Sequence, residues 1–286
     1  MNKLLSAEFV RLFKSLVFKI CLLFSVGSGI FMVLMRWLDV KKHPAEYAKL
    51  SVEYSNADGL IFTGGFYLIF AIAVFIGIFV GTEYSNGTIR NKIVAGHTRL
   101  SIYLSKLIIC GTANIIIYIL SITTVLISGN LLIGGTTMSA VEILSFTMTG
   151  IIVVLTLTAL LLLFSMSIQS KSSGAVVGLL ATIILLFAAL TIQSKLNEPK
   201  YYDNTSFSDG NTGETIKVEK EKNPKYLTGT KRKVFEFLNN FLPVSQLYQI
   251  VINSSDNLHL IVIYDFVIII VTTGIGTVVF NKKNLK

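Results

Sequence analysis

Six uninterrupted apolar runs, each long enough to span the hydrocarbon of a bilayer, constrain this chain more than any other feature. A helix needs about 20 predominantly apolar residues to cross that layer, and residues 16–35, 60–81, 107–133, 143–168, 174–193 and 260–280 each supply such a window. The apolar residues lie in blocks, without the alternation over about ten residues that marks a barrel strand. Backbone groups find no water in lipid, so the helix, which pairs them within itself, is the form such runs take. Only 14% of the 286 residues are charged, against about a quarter in soluble domains. A water-soluble enzyme is excluded. The expected fold class is all-α: a polytopic membrane protein with six transmembrane helices.

Orientation follows from Lys and Arg in the short connections. With a cytoplasmic N-terminus, the inner segments hold Lys3, Arg11, Lys14, Lys19, Arg90, Lys92, Arg99, Lys106, Lys171, Lys282, Lys283 and Lys286. The short outer loops hold only Arg36, Lys41, Lys42 and Lys49, balanced by Asp39, Glu46, Glu53 and Asp58. The net charge of +9 is therefore a property of the inner face and points to no nucleic acid. Both termini are expected in the cytoplasm, and 194–259 forms a long extracytoplasmic loop. The first apolar run is too long for a signal-peptide core. Residues 1–15 read as an amphipathic interfacial helix resting on membrane lipid, with Leu5, Phe9, Leu12, Phe13 and Leu16 on one face and Lys3, Glu8, Arg11 and Lys14 on the other; the competing reading extends the first span downward.

Metal and redox chemistry find no support. Cys21 and Cys110 sit inside apolar runs, and His43, His97 and His259 lie far apart without a His-Glu-x-x-His pattern.

The segment 82–106, TEYSNGTIRNKIVAGHTRLSIYLSK, is too long for a tight turn. Asn86-Gly87 breaks the chain, Thr88–Ala95 can form a two-turn helix stopped by Gly96, and Thr98 can cap the helix that becomes the third span. Ile89, Ile93 and Val94 beside Arg90 and Lys92 suit either docking into a cytoplasmic partner or lying on the membrane surface. In the long loop, Val234–Ile252 is amphipathic and interrupted by Pro243, which fits a re-entrant pair of helices or a helix on the outer surface. Gly77-x-x-x-Gly81 and Gly174-x-x-x-Gly178 fall at cytoplasmic ends and can allow close helix contact. Within the spans, Lys19 can snorkel and Asp265 lies near the outer face. A proton- or ion-coupled carrier displays buried charges at the midplane, and none is evident.

The string from Gly81 to Lys106 resembles the cytoplasmic loop of type-2 ABC exporter permeases: Glu83 at the end of the second span, then Gly87-Thr88-Ile89, a short coupling helix, and Thr98-Arg99 before the third span. His97 stands near where many relatives have Pro. The resemblance implies an ATPase-coupling helix carried by Glu83, Gly87, Thr88, Ile89, Arg90, Ile93, Val94 and Arg99, and an extracellular gate at Phe237, Phe241, Pro243 and Leu247. It implies an ATP-binding ABC subunit in two copies, a second permease chain (identical or homologous), and ATP with Mg bound by that ATPase, with no cofactor in this chain. Small permeases of this kind resemble antimicrobial-peptide (lantibiotic) export or immunity subunits in the bacterial plasma membrane. The expectation is one transmembrane domain over 1–286 that exports an amphipathic or lipophilic substrate. An ATPase-independent secondary carrier or channel is the alternative. An intramembrane enzyme fits poorly, since Gly27-Ser28-Gly29 has no His within the six windows. No Gly-x-x-x-x-Gly-Lys-Ser/Thr phosphate loop occurs, so the purified polypeptide alone is expected neither to bind nor to hydrolyse ATP, measured by nucleotide binding and phosphate release.

Overall fold

The computed structural model describes residues 1–47, 56–168, 170–202, 207–208, 215–216, 221–253 and 258–283. Helices carry nearly all of it: α1 (Asn2–Lys14), α2 (Leu16–Lys42), α3 (Pro44–Tyr47), α4 (Thr63–Ser85), α5 (Thr88–Val94), α6 (Arg99–Leu132), α7 (Ala140–Ile168), α8 (Lys171–Leu196), α9 (Gly229–Phe241), α10 (Pro243–Val251) and α11 (Leu258–Lys282). Among the described residues, six helices (α2, α4, α6, α7, α8 and α11) are long and apolar enough to cross a membrane. The all-α, six-span class stands. A two-residue antiparallel pair, Phe207–Ser208 with Thr215–Ile216, lies in the long loop; most of the polar first part of that loop, Asn211 included, falls outside the described residues.

Each helix extends past its apolar window at one end or both, although α4 starts at Thr63, three residues inside its own. The largest difference is α6, which begins at Arg99 and not near 107, with the Thr98 side chain accepting from the Ser101 amide at 3.2 Å as its cap. Two turns of polar sequence thus belong to the third span, and Lys106 lies inside it. At the N-terminus the chain breaks at Ser15 (φ −69°, ψ 123°), so α1 is a separate helix and not a downward extension of α2. Its packed face differs from the expected one. Leu4, Glu8 and Leu12, at i, i+4 and i+8, are buried, whereas Phe13 and Leu16 are exposed. Glu8 lies on the inward stripe because it has partners there.

The central helix is α4, buried along most of its length and packed against α2, α6, α7 and α8. Its closest partner is α8, and the two Gly-x-x-x-Gly pairs face each other across that contact. A Cβ on Gly77 would run into the backbone of Ala175, and one on Gly81 into the backbone of Lys171. From the other side, a Cβ on Gly174 would lie 3.7 Å from the Gly77 carbonyl oxygen, and one on Gly178 would lie 3.5 Å from that of Ala73. Small residues let the backbones approach until dispersion contacts run along the whole seam, which is how helices associate where lipid competes for apolar surface. At the end of the bundle away from α5, Asp58 ties the segment before α4 to the connection between α6 and α7. Its carboxylate accepts from the hydroxyls of Thr136 and Thr137, from the Thr137 amide at 3.0 Å and from Asn56 Nδ2 at 2.9 Å.

Gly77→Ala is expected to cost about 1–3 kcal/mol, the scale of overpacking a filled contact, seen as a lowered Tm in detergent or nanodiscs. Gly27→Ala, where a Cβ would meet nothing within 4 Å, is expected to leave Tm unchanged.

Candidate functional site

The end of α4, the short helix α5 and the start of α6 form the cytoplasmic loop picked out by sequence, and α1 packs against it. Gly87 caps α5 with φ +68°, a left-handed conformation that disfavours any Cβ, and Gly96 ends it with φ +88°. The Thr88 hydroxyl donates to the Glu83 carbonyl at 3.0 Å, fixing the turn between α4 and α5. The helix runs Thr88–Val94, one residue shorter than expected.

Five charged side chains from four helices meet here. Glu83 on α4 accepts from Lys106 of α6 at 2.6 Å, from Lys92 of α5 at 2.8 Å and from Arg11 of α1. Glu8 on α1 accepts from the same two lysines, with Arg11 Nε 3.5 Å away. Glu8 and Glu83 are each 1% exposed and Lys106 is 0% exposed. The Arg11 guanidinium also donates to the Phe79 carbonyl at 3.3 Å and stacks 3.8 Å from the Phe79 ring centroid. Burial opposes ionisation of Glu8, but the charges of Lys106, Arg11 and Lys92, with the hydrogen bond from Lys106, outweigh it and hold the carboxyl down at about 2. Burial likewise opposes the charge on Lys92, yet Glu83 and Glu8 push its ammonium above the ordinary value.

The expected coupling residues are divided by this geometry. Ile89 is buried in the core and Ile93 is half-buried against it, so neither forms the apolar knob; Val94, 84% exposed, forms it, beside the exposed Arg90. Lys92 turns inward instead of rimming the knob. Arg99 caps the last span: one guanidinium nitrogen donates to the carbonyls of Phe280, Asn281 and Lys283 at 2.7, 2.9 and 2.6 Å, satisfying orphan carbonyls at the α11 terminus. Sequence reading therefore missed Glu8, Arg11, Lys92 and Lys106 as partners of Glu83. Two signals were present. Glu8 falls at helical spacing between Leu4 and Leu12, and Lys106 is enclosed by apolar residues in IYLSKLIIC.

A family model described as an ABC-2 family transporter protein matches residues 4–189, a stretch that holds all but the first two residues of α1, the whole cluster, four complete spans and most of the fifth. The chain belongs to that family. Comparison with curated proteins gives no match. As an ABC-2 permease, the chain is the transmembrane subunit of a transporter, and the family implies an ATP-binding ABC subunit as partner.

In this ABC-2 permease the residues expected at the outer gate lie apart from the cluster, around the break between α9 and α10. Leu242 (φ −81°, ψ 122°) separates the helices and Pro243 starts the second, at the position where its missing N–H costs nothing. Phe237 and Phe241 stack with centroids 5.3 Å apart, and both meet the edge of Tyr264 on α11. Helix α9 buries no residue completely, whereas α10 buries Pro243, Val244 and Leu247 among α4, α7 and α8. Asn239 Oδ1 accepts from Gln193 Nε2 of α8 at 2.7 Å and from the Ser245 hydroxyl at 2.5 Å.

The charge count orders the variants. Glu83→Gln leaves three cations around one carboxylate and is expected to cost about 3–5 kcal/mol, the scale of an uncompensated buried ion. Lys106→Met leaves two of each sign and is expected to cost less; denaturant unfolding checks the ranking. The pH window follows from Glu8 and Lys92. Because the folded Glu8 titrates below its ordinary 4.5, its contribution is complete above that value and is lost as pH falls towards 2. Because the folded Lys92 titrates above 10.5, its contribution is complete below that value and is lost as pH rises past it. Stability measured against pH is expected to show a plateau between these limits, and Glu8→Gln to remove the acid limb.

Proposed function

We propose that this chain is the permease subunit of an ATP-driven exporter, with the 88–94 helix as the point where a separate ATPase delivers its force. The observation that carries the reading is the buried charge cluster. It joins the helix nearest the cytoplasm (α5) to the central span (α4), to α6 and to the interfacial helix α1, so a push on the exposed end of α5 reaches all of them together.

On this reading ATP and Mg are bound by the partner, two permease chains pair with two ATPase chains, and both termini lie in the cytoplasm of a bacterial cell whose plasma membrane the chain spans. Val94 and Arg90 meet the ATPase; Glu83, Gly87, Thr88 and Ile89 hold α5 in place, with Ile93 and Arg99 packing behind it. The seam at Gly77, Gly81, Gly174 and Gly178 carries displacement from α4 to α8. Helix α8 contacts both α9 and α10, so the same displacement reaches Phe237, Phe241, Pro243 and Leu247, read here as a re-entrant extracellular gate. A path lined by apolar side chains suits an amphipathic or lipophilic substrate, and an antimicrobial or other peptide fits that description best.

Val94→Asp tests this. A charge forced into a desolvated pocket without a partner costs several kcal/mol, so the cognate ATP-binding subunit is expected to be lost on purification while membrane insertion is unchanged. Glu83→Gln is expected to retain the ATPase more fully but to break the link between ATP hydrolysis and transport. Normal ATPase recovery with Val94→Asp would place the docking surface elsewhere.

A further inference from the structure

Asp265 lies two turns into the last span and is 0% exposed, yet neither carboxyl oxygen has a hydrogen-bond partner. The polar side chains that face it are Thr156 on α7 and Gln246 on α10. Thr156 donates its single hydroxyl proton to the Ile152 carbonyl at 3.0 Å, and Gln246 Nε2 gives one of its two N–H bonds to the Asn240 carbonyl at 2.7 Å. Gln246 Oε1 is itself buried without a partner. Two carboxyl oxygens and an amide oxygen are thus buried at one site with no hydrogen bond made to any of the three.

Among the described residues no charged side chain faces this group from the surrounding elements. On α7 the only ionisable residue is Glu142, at the outer end and bonded to Ser139. On α10 the only one is Tyr248, which packs on Phe66. On α9, Lys231, Lys233 and Glu236 are exposed, and Arg232 pairs with Glu236. On α6, Arg99 and Lys106 are engaged at the opposite end of the bundle, Tyr103 lies beside Gly276, and Tyr118 lies beside Gly65 and Gly150. On α11 itself, His259 is exposed and Tyr264 packs on Phe237 and Phe241. An ionised carboxylate buried with no counter-ion and no hydrogen bond is the most costly arrangement available to it. A carboxylic acid avoids that cost, since its O–H supplies the missing donor and leaves nothing charged.

We propose that Asp265 is a proton-binding site, with the bound proton donated to Gln246 Oε1, and that this neutral hydrogen bond latches α10 to the last span. Release of the proton to water leaves a bare carboxylate facing an amide oxygen, and the two acceptors repel. The latch then opens at the outer end of the bundle, beside the Phe237, Phe241 and Tyr264 cluster. The proposal is independent of where the ATPase docks, because Asp265 and α5 lie at opposite ends of the spans.

Infrared spectroscopy of the full chain in lipid nanodiscs tests the protonation directly. With aspartate carrying a ¹³C carboxyl, one protonated-acid carbonyl band is expected at neutral pH, lost on alkaline titration and missing from Asp265→Asn. Absence of the band from the unsubstituted chain at neutral pH, or its persistence in Asp265→Asn, overturns the proposal. The latch has a separate readout. With Cys21 and Cys110 changed to Ala, Leu247→Cys is expected to react with an impermeant thiol reagent several-fold faster at alkaline pH than at neutral pH. Adding Asp265→Asn, which keeps a neutral group of the same shape, is expected to abolish that rise. The same rise with and without Asp265→Asn, or no rise in either, shows that α10 is not held by this proton.

Discussion

Gathering five charges at one point, three of them buried, is the constraint on which the rest of this structure depends. An ion moved from water into a medium of low dielectric loses several kcal/mol of solvation even after the protein relaxes. Glu8, Glu83 and Lys106 are almost wholly removed from solvent, so each is tolerable only while its opposite charges remain within hydrogen-bond reach. The cluster therefore behaves as a unit. Displacing α5 alone would draw Lys92 away from both carboxylates, and displacing α1 alone would strip Lys92 and Lys106 of Glu8. Helices joined in this way move together or not at all. That is the mechanical property a loop needs if it is to hand on a force generated outside the membrane.

The next link has different chemistry. Between α4 and α8 there are no ions, only two facing rows of glycine and the close backbone approach they permit. Such a seam has shape without directional bonds, and it resists separation. At the outer end, neutral polar contacts take over: Gln193, Asn239 and Ser245 join α8, α9 and α10. A Cβ on Gly65 of α4 would lie 4.0 Å from Leu247 of α10. From Glu83 to Gly65 is eighteen residues, about 27 Å at the helical rise. One rigid span thus has the charge cluster at its inner end and the buried helix α10 at its outer end.

The spans were legible because apolar length is a property of consecutive residues, and the turns at Gly87 and Gly96 because a left-handed backbone selects glycine. The cap at Thr98 was legible for the same local reason. The cluster was not, because its members come from four helices, and no stretch of sequence records that Glu8 is near Lys106. The window used to find the third span also worked against it. Starting a span after the last cation assigns Lys106 to the loop by construction, whereas the helix begins at Arg99 and carries that lysine inward. Glu8 was hidden differently. An amphipathic reading sorts residues into apolar and polar faces, and a carboxylate that packs inward between Leu4 and Leu12 defeats such sorting. Ile89 shows the same limit, since which side of a short helix faces the core depends on what stands behind it.

The two ends of the bundle solve one electrostatic problem in opposite ways. At the inner end, where lysine and arginine are abundant, buried carboxylates keep their charge because cations surround them, and the contact is strong and hard to break. At the other end, α11 carries a carboxyl group among neutral side chains, with no cation facing it among the described residues. A contact made there with neutral groups is weaker and reversible. Under the proposed drive through α5, that asymmetry lets force enter through a joint that does not yield and be released at one that does. Exchanging the two chemistries would give a bundle that slipped at the α5 end and stayed locked at the α10 end. The Lys and Arg residues counted to orient the spans thus have a second consequence: three of them, Arg11, Lys92 and Lys106 on α1, α5 and α6, are the cations that pair with Glu8 and Glu83.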